Sequence, residues 1–360
     1  MLHGILLAGG SGTRFWPRSR EARPKPFLPI GGDRPLLAGT AERLRSLIPP
    51  SRIHVVTHRR LAPLVRRLLP DLPASNVLGE PASRNTAASI GFAAIHLLRE
   101  DADAVLAVLP SDHRVDPASA FRAALRAGTA TAGEGRLVLF GVRPDRPAIG
   151  YGYIRRGRRC GSAGRFPLFE VEGFREKPNR GTAVRYVRAG KYLWNSGVFL
   201  WRADAILEEI RRFLPPLARG LRRIAGAGRR GAARRIASVF RGLPSVSIDR
   251  GVLEKSRRLR CLVPAFRWSD LGAWPSLREV LDTDPRGNVL DAPRGTRLLA
   301  IDAEDCVVHA ERPGLVALLG VRGVVVTQTD DALLVCPADR AEEVRRIVEA
   351  ISRRRWRRFL

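Results

Sequence analysis

Strand-like and helix-like segments alternate through the first half of this chain, and that alternation limits the possible folds more than any other feature. Gly4–Ala8, Ile53–Thr57, Asp103–Pro110 and Arg136–Gly141 are short apolar runs of strand composition. Between and after them, Arg34–Leu47, Arg59–Leu69, Thr86–Arg99 and Ala118–Ala132 carry apolar residues at helical spacing. Strands joined through helices return in the same direction, so the pattern predicts an α/β fold: a Rossmann-like, three-layer domain with a mostly parallel sheet. Ligands of such sheets sit beyond the strand C-termini, which is where the polar motifs of this chain fall.

From Gly150 the pattern shifts to strands at Gly150–Arg156 and Pro167–Pro178, a helix at Gly181–Ala189, a strand at Ser196–Arg202 and helices from Ala203 to about Phe240. These read as an insertion that elaborates the same sheet. A helix is expected at Trp274–Asp282, and the turn Pro285-Arg286-Gly287-Asn288 marks a boundary, giving a catalytic domain over 1–284 and a second domain over 285–360. The second has short strands with frequent turns and a final helix at Ala338–Ser352, which predicts a small solenoid-like β domain of the left-handed β-helix kind.

A net charge of +28 raises the question of nucleic acid. Nearly all of the excess is arginine, spread over both halves; Lys25, Lys177, Lys191 and Lys255 are the only lysines. That bias is what a G- and C-rich coding sequence places on any solvated surface. The densest runs, Arg211–Arg241 and Arg353–Arg358, lack interleaved stacking aromatics, so nucleic acid is not expected as a partner. The surviving lysines mark places where a compact ammonium serves better than a planar guanidinium. Cys160, Cys261, Cys306 and Cys336 form no CxxC pair and read as packed thiols. No apolar run is long enough for a membrane span, and Met1–Gly10 reads as a first strand rather than a leader, so a cytoplasmic protein without a membrane partner is expected.

The first strand runs into Gly9, Gly10, Ser11, Gly12, Thr13 and Arg14, with Lys25 further on. The spacing excludes the dinucleotide fingerprint, and no Gly-Lys-Ser/Thr exists for a Walker loop. Glycines here let backbone N–H groups converge on an anion; a plain tight turn is the alternative. Arg14 can fork two phosphate oxygens and Lys25 can add a point charge, which favours the anion site.

"LAGGSGTRFWPRSREARPKPF" resembles the signature of the sugar-1-phosphate nucleotidyltransferases, most nearly their mannose-1-phosphate guanylyltransferase branch. The likeness continues in order through "GEPASRNTAASI", "LPSDH", "IGYGYI", "FREKP", "WNSGVFLWR", "SVSIDRGVLEKS", "WSDLGAW" and "TDDALLV", over essentially the whole chain. It implies transfer of GMP from GTP to mannose 1-phosphate, with release of pyrophosphate. Another sugar or base within the same class is one alternative, and a non-catalytic nucleic-acid-binding relative is another. The chain departs from the family pattern at Arg175 and Arg250-Gly251 without losing a ligand. The absence of a cupin domain before Leu360 leads to the expectation of the transferase activity alone. The sequence leaves the oligomeric state open, a homodimer being one option.

The resemblance assigns Arg14, Lys25 and Lys177 to catalysis and gives Asp112 and Asp270 to Mg²⁺, a hard cation that fills its remaining positions with phosphate oxygens and water. Taken singly, either aspartate could be a helix N-cap. Ala8, Gly9, Gly10, Gly12 and Thr13 would line the nucleotide. Glu80 would read the two adjacent donors of guanine, and Arg84 and Asn85, opening a helix, would steady the triphosphate or cap that helix. Gly152, Glu176 and Asn195 would face the sugar, with plain turn chemistry the alternative for Gly152 and Asn195 and an idle exposed pair with Lys177 the alternative for Glu176; Lys255 is a weaker candidate.

Overall fold

The structure, a computed structural model, describes residues 1–10, 12–226 and 232–360. Ser11 of the glycine loop and part of the Arg211–Arg241 run therefore lie outside the described residues. The chain forms two compact units that do not follow chain order. The first contains Met1–Gly9, Ala41–Ser111 and Val115–Trp268; the second contains Gly10–Thr40, Asp112–Arg114 and Ser269–Leu360. The turn at Pro285–Asn288 lies inside the second unit.

The first unit is built on a nine-stranded sheet. Leu2–Leu7 lies between Ile53–His58 and Val105–Pro110, and Val77–Glu80 forms the outer edge beside Ile53–His58. All these pairings are parallel. The residues of Leu2–Leu7 are buried on both faces along most of its length, as expected of a central parallel strand. Tyr192–Arg202 then joins antiparallel to Val105–Pro110, and Leu137–Val142, Leu259–Leu262, Phe166–Glu176 and Gly152–Ala163 complete the sheet. The post-150 strands do extend the same sheet. Val77–Glu80 has no counterpart among the sequence expectations, since four residues are too few to display a period.

Helices Asn85–Leu97, Ala203–Phe213, Pro215–Ala225 and Ala232–Arg241 cover one face around a core that includes Ile5, Val56, Leu106, Phe199 and Trp201. Helix Ala118–Gly133 covers the other face and runs close enough that a Cβ on Gly128 would stand 2.9 Å from Leu200. The expected helical stretch from Ala203 is broken at Leu214, because Pro215 and Pro216 cannot continue a helix that needs their N–H groups.

In the second unit, Val289–Asp291, Val307–Ala310 and Val324–Gln328 pair in parallel, as do Arg297–Ile301 and Leu315–Leu319. Val289 is opposite Val307 and Val307 opposite Val325, each 18 residues further along, and all three are buried. A constant step with stacked inward valines is the signature of a β-helix coil. Leu333–Pro337 turns back antiparallel onto Val324–Gln328. The expected helix at Trp274–Asp282 is instead a short 3₁₀ segment, Trp274–Glu279, and the final helix starts late, with 3₁₀ turns over Ala338–Glu343 before the α-helix Val344–Arg353. Phe15, Trp16 and Leu28 from the N-terminal loop pack with Leu271, Trp274 and Leu277 in the core of this unit.

Two of the four cysteines, Cys261 and Cys306, are buried, whereas Cys160 is exposed on a strand whose outer face meets solvent, which corrects the expectation that it is packed. Among the described residues no helix is long and apolar enough to cross a membrane.

Candidate active site

The glycine loop belongs to the second unit from Gly10 onward, and Lys25 is its centre. Gly12 is left-handed at φ 62°, Thr13–Phe15 make a 3₁₀ turn, and a Cβ on Gly12 would lie 2.3 Å from that of Lys25. Only glycine lets the two limbs of the loop meet there. Gly10 is under no such pressure, because nothing lies within 4 Å of a Cβ placed on it. Lys25 is 4% exposed; its Nζ is 3.0 Å from Asp112 Oδ2, donates to the Asp270 main-chain carbonyl at 2.7 Å, and stands 5.5 Å from the Phe15 ring centre. One buried ammonium thus brings together three residues that the sequence separates widely.

Partial burial pushes the Asp112 carboxyl up, but Lys25 and His113 outweigh it and hold the group below the usual carboxylate range. Asp270 precedes Leu271, a buried aliphatic residue at φ 44°, and a Cβ on Gly272 would come within 2.9 Å of the Asp270 carboxylate. Left-handed backbone on a leucine is costly and occurs where the surroundings impose it. Among the described residues no group of three or more His, Cys, Asp or Glu could hold a metal alone. Two aspartates fit a hard divalent ion that draws its other oxygens from phosphates and water, as Mg²⁺ does. Arg14, half-exposed, pairs with Glu342 at 2.8 Å. An exposed pair of this kind is worth at most about 1 kcal/mol, so a phosphate can displace the glutamate.

The remaining candidates lie in the first unit, in two groups. Ala8 is buried, its N–H donating to Val56 and its carbonyl accepting from the Thr57 hydroxyl at 2.9 Å. Gly9 follows at the surface, and a Cβ there would stand 3.9 Å from Glu80 Oε2. Glu80, the last residue of its strand, is 3% exposed and accepts from Ser89 at 2.6 Å. Burial pushes its carboxyl up to about 7 against the Ser89 hydrogen bond. Arg84 donates to the carbonyls of Phe240 and Arg241, which binds it to the helical layer. Asn85, the first residue of its helix, is left-handed at φ 62°, and its Oδ1 accepts from the adjacent Thr86 N–H at 2.8 Å.

Gly152, Glu176, Lys177 and Asn195 form the second group. A Cβ on Gly152 would be 2.6 Å from Glu176 Oε2 and 3.3 Å from Asn195 Cβ, so two side chains converge over bare backbone. The strand Phe166–Glu176 ends as Lys177 turns left-handed at φ 48°, which keeps Glu176 inside and leaves the Lys177 side chain 57% exposed, with Nζ 3.7 Å from Glu176. Two residues absent from the sequence expectations complete the group. Asp249 Oδ1 accepts from Asn195 Nδ2 at 3.0 Å, and Glu254 Oε1 accepts from the Glu176 backbone N–H at 3.0 Å. Burial and the neighbouring Asp249 charge push Glu176 up to about 7, and burial pushes Asp249 up to about 6. Their five-residue separation on one short turn carries no periodic signal, although such acids in an otherwise arginine-rich chain were open to notice. Lys255 lies exposed at the end of that turn.

The sequence matches the nucleotidyl transferase family over residues 3–286 and the MannoseP isomerase/GMP-like beta-helix domain over residues 296–351. The xanthan biosynthesis protein XanB of Xanthomonas campestris pv. campestris is 40% identical over 352 residues, which cover 97% of this chain and 73% of that protein. The mannose-1-phosphate guanylyltransferase of Escherichia coli is 37% identical over 357 residues, covering 98% of this chain and 73% of that protein. A crystal structure of a mannose-1-phosphate geranyltransferase from Thermus thermophilus has 40% sequence identity and a TM-score of 0.88, covering 98% of this chain and 99% of that one.

Proposed function

The chain belongs to the nucleotidyl transferase family, and from that premise we propose that it transfers GMP from GTP to mannose 1-phosphate, giving GDP-mannose and pyrophosphate. A phosphate oxygen of the sugar phosphate attacks the α-phosphorus of GTP, a new P–O bond forms, and the bond to the β-phosphate oxygen breaks. The nucleophile is already ionised at neutral pH, so the demand on the protein is for cations and orientation rather than for a base.

The observation that carries this reading is the buried Lys25 ammonium, held between Asp112 and Asp270 at the mouth of a glycine turn. Lys25 and Arg14 neutralise the triphosphate, and Gly10, Gly12 and Thr13 present backbone N–H groups to it. Asp112 and Asp270 hold Mg²⁺, which supplies Lewis-acid charge stabilisation to the phosphates when bound. Glu80, with the backbone of Ala8 and Gly9, accepts from guanine N1–H and the 2-amino group, a pair adenine lacks. Asn85 and Arg84 keep the start of their helix in place beside it. Glu176, Asn195 and Gly152 hold the sugar, Lys177 takes its phosphate, and Lys255 adds a peripheral charge. The cytoplasm, where nucleoside triphosphates are made, is the compartment proposed.

Pyrophosphate release tests the reading. Adding mannose 1-phosphate to GTP and the protein should start the release and EDTA should stop it. Asp112→Asn and Lys25→Ala should each lower turnover about a hundredfold, the scale set by loss of one preorganised charge. Release that is indifferent to both substitutions would remove these residues from the chemistry.

A further inference from the structure

We propose that Asp249 is a positioning residue for the sugar phosphate, acting through the Asn195 amide; this rests on the reading of Gly152, Glu176 and Asn195 as the sugar side of the site. The amide carries two donor hydrogens on Nδ2 and an acceptor oxygen. One hydrogen goes to Asp249 Oδ1 at 3.0 Å, while Oδ1 of Asn195 accepts from Gly197 N–H at 3.2 Å. These two bonds decide which end of the amide faces which way. The second Nδ2 hydrogen then has a set direction for a substrate hydroxyl.

Asp249 opens the turn Asp249–Leu253, and the turn is pressed so closely against its neighbours that a Cβ on Gly251 would be 2.8 Å from Leu214. Glycine at 251, a departure from the family pattern, is thus accommodated by tight packing that places the turn. At its end Glu254 takes the Glu176 backbone N–H. A single short turn therefore holds the Asn195 side chain and the backbone of Glu176, the two residues whose side chains converge over Gly152. A carboxylate is a poor choice for fold stability at this place, because burial disfavours its charge and Glu176 and Glu254 repel it. Against that cost stand the Lys177 charge and the hydrogen bond to Asn195, and of these the bond to Asn195 has a direction, so it orients that residue.

The chemistry of the cluster also indicates what it takes. Glu176, Asp249 and Glu254 give the cluster three carboxyls, and Lys177 and Arg250 bring positive charge to Glu176, so the group is rich in acceptors with cations at its edge. A polyhydroxylated ring donates to such acceptors through its hydroxyls. An anionic phosphate is repelled by the carboxyls and favoured on the cationic side, beside Lys177. The arrangement suits a hexose 1-phosphate with its hydroxyls inward and its phosphate at Lys177.

The test is a set of variants measured for both substrates and for sugar phosphate binding by calorimetry. Asp249→Ala should raise KM and Kd for mannose 1-phosphate about tenfold, the equivalent of one lost hydrogen bond to a charged group, with KM for GTP unchanged. Asp249→Asn keeps an acceptor for the amide and should restore most of the affinity. In an Asn195→Ala background the Asp249→Ala change should add little, since the two act as one unit. Additive effects of the two substitutions, or loss of thermal stability with both KM values unmoved, would overturn the proposal. Wild-type protein that binds a different hexose 1-phosphate overturns the sugar named above, and the same ratios then apply to that ligand.

Discussion

At the scale of single residues, Glu80 makes the sharpest demand. Its carboxyl is held at about 7 by burial, and as the proposed reader of guanine it would need its ionised form to accept from both donors. A raised carboxyl pKa means that the proton is retained until near-neutral pH, so the acceptor is lost as pH falls through 7. KM for GTP should be level above about pH 8 and rise toward tenfold per unit below 7, where each proton taken up opposes binding. Glu80→Gln, which keeps one acceptor and cannot titrate, should flatten that dependence and narrow the margin of GTP over ATP. A wild-type profile that is flat from pH 6 to 8 would mean that Glu80 does not meet the base. Lys177 offers a second check. A guanidinium spreads its charge over a plane where the left-handed turn presents a compact ammonium, so Lys177→Arg should raise KM for the sugar phosphate.

At the scale of elements, the glycine loop shows which positions are structural. Gly12 has both a positive φ and a neighbour at 2.3 Å, whereas Gly10 has neither constraint. Gly12→Ala should cost about 1–3 kcal/mol of stability and displace Lys25, lowering turnover as well. Gly10→Ala should leave the melting temperature where it is. Equal destabilisation by the two substitutions would contradict the assigned loop geometry. The periodic signal foretold most regular elements here, because strands such as Leu2–Leu7 and helices such as Ala118–Gly133 bury continuous apolar faces. It did not show the left-handed turns at Lys177 and Leu271, residues of no special propensity for that region, nor the one at Asn85, a residue type that tolerates it. Nor did it show that Asp249 and Glu254 reach Asn195 and Glu176, since that depends on a register between segments more than fifty residues apart.

At the scale of the whole molecule, motif order in the sequence indicated the chemistry, but the grouping of segments was not legible. Residues Gly10–Thr40 pack with Ser269–Leu360 because Phe15, Trp16 and Leu28 find their apolar partners around Trp274, and such pairing has no local signature. The first unit also carries a buried histidine whose titration bears on its stability. His54, with neither ring nitrogen hydrogen-bonded, lies between His3 and His96, and burial together with those neighbours lowers it to about 3. The unfolded chain takes up that proton near pH 6.5 while the folded one resists, so stability present above 6.5 is lost on acidification at up to about 1.4 kcal/mol per unit. Melting temperature should fall more steeply between pH 6.5 and 5 in the wild type than in His54→Leu; identical slopes would exclude the histidine as the cause.

The central claim, that the guanine and mannose sites act in one reaction, is tested most directly by competition. The protein is given equal concentrations of GTP, ATP, UTP and dTTP together with mannose, glucose and galactose 1-phosphates and Mg²⁺, and the products are identified by mass spectrometry. GDP-mannose should dominate, with pyrophosphate formed in equal amount. A dominant dTDP- or UDP-sugar, or GTP consumed without any nucleotide sugar, would contradict the account.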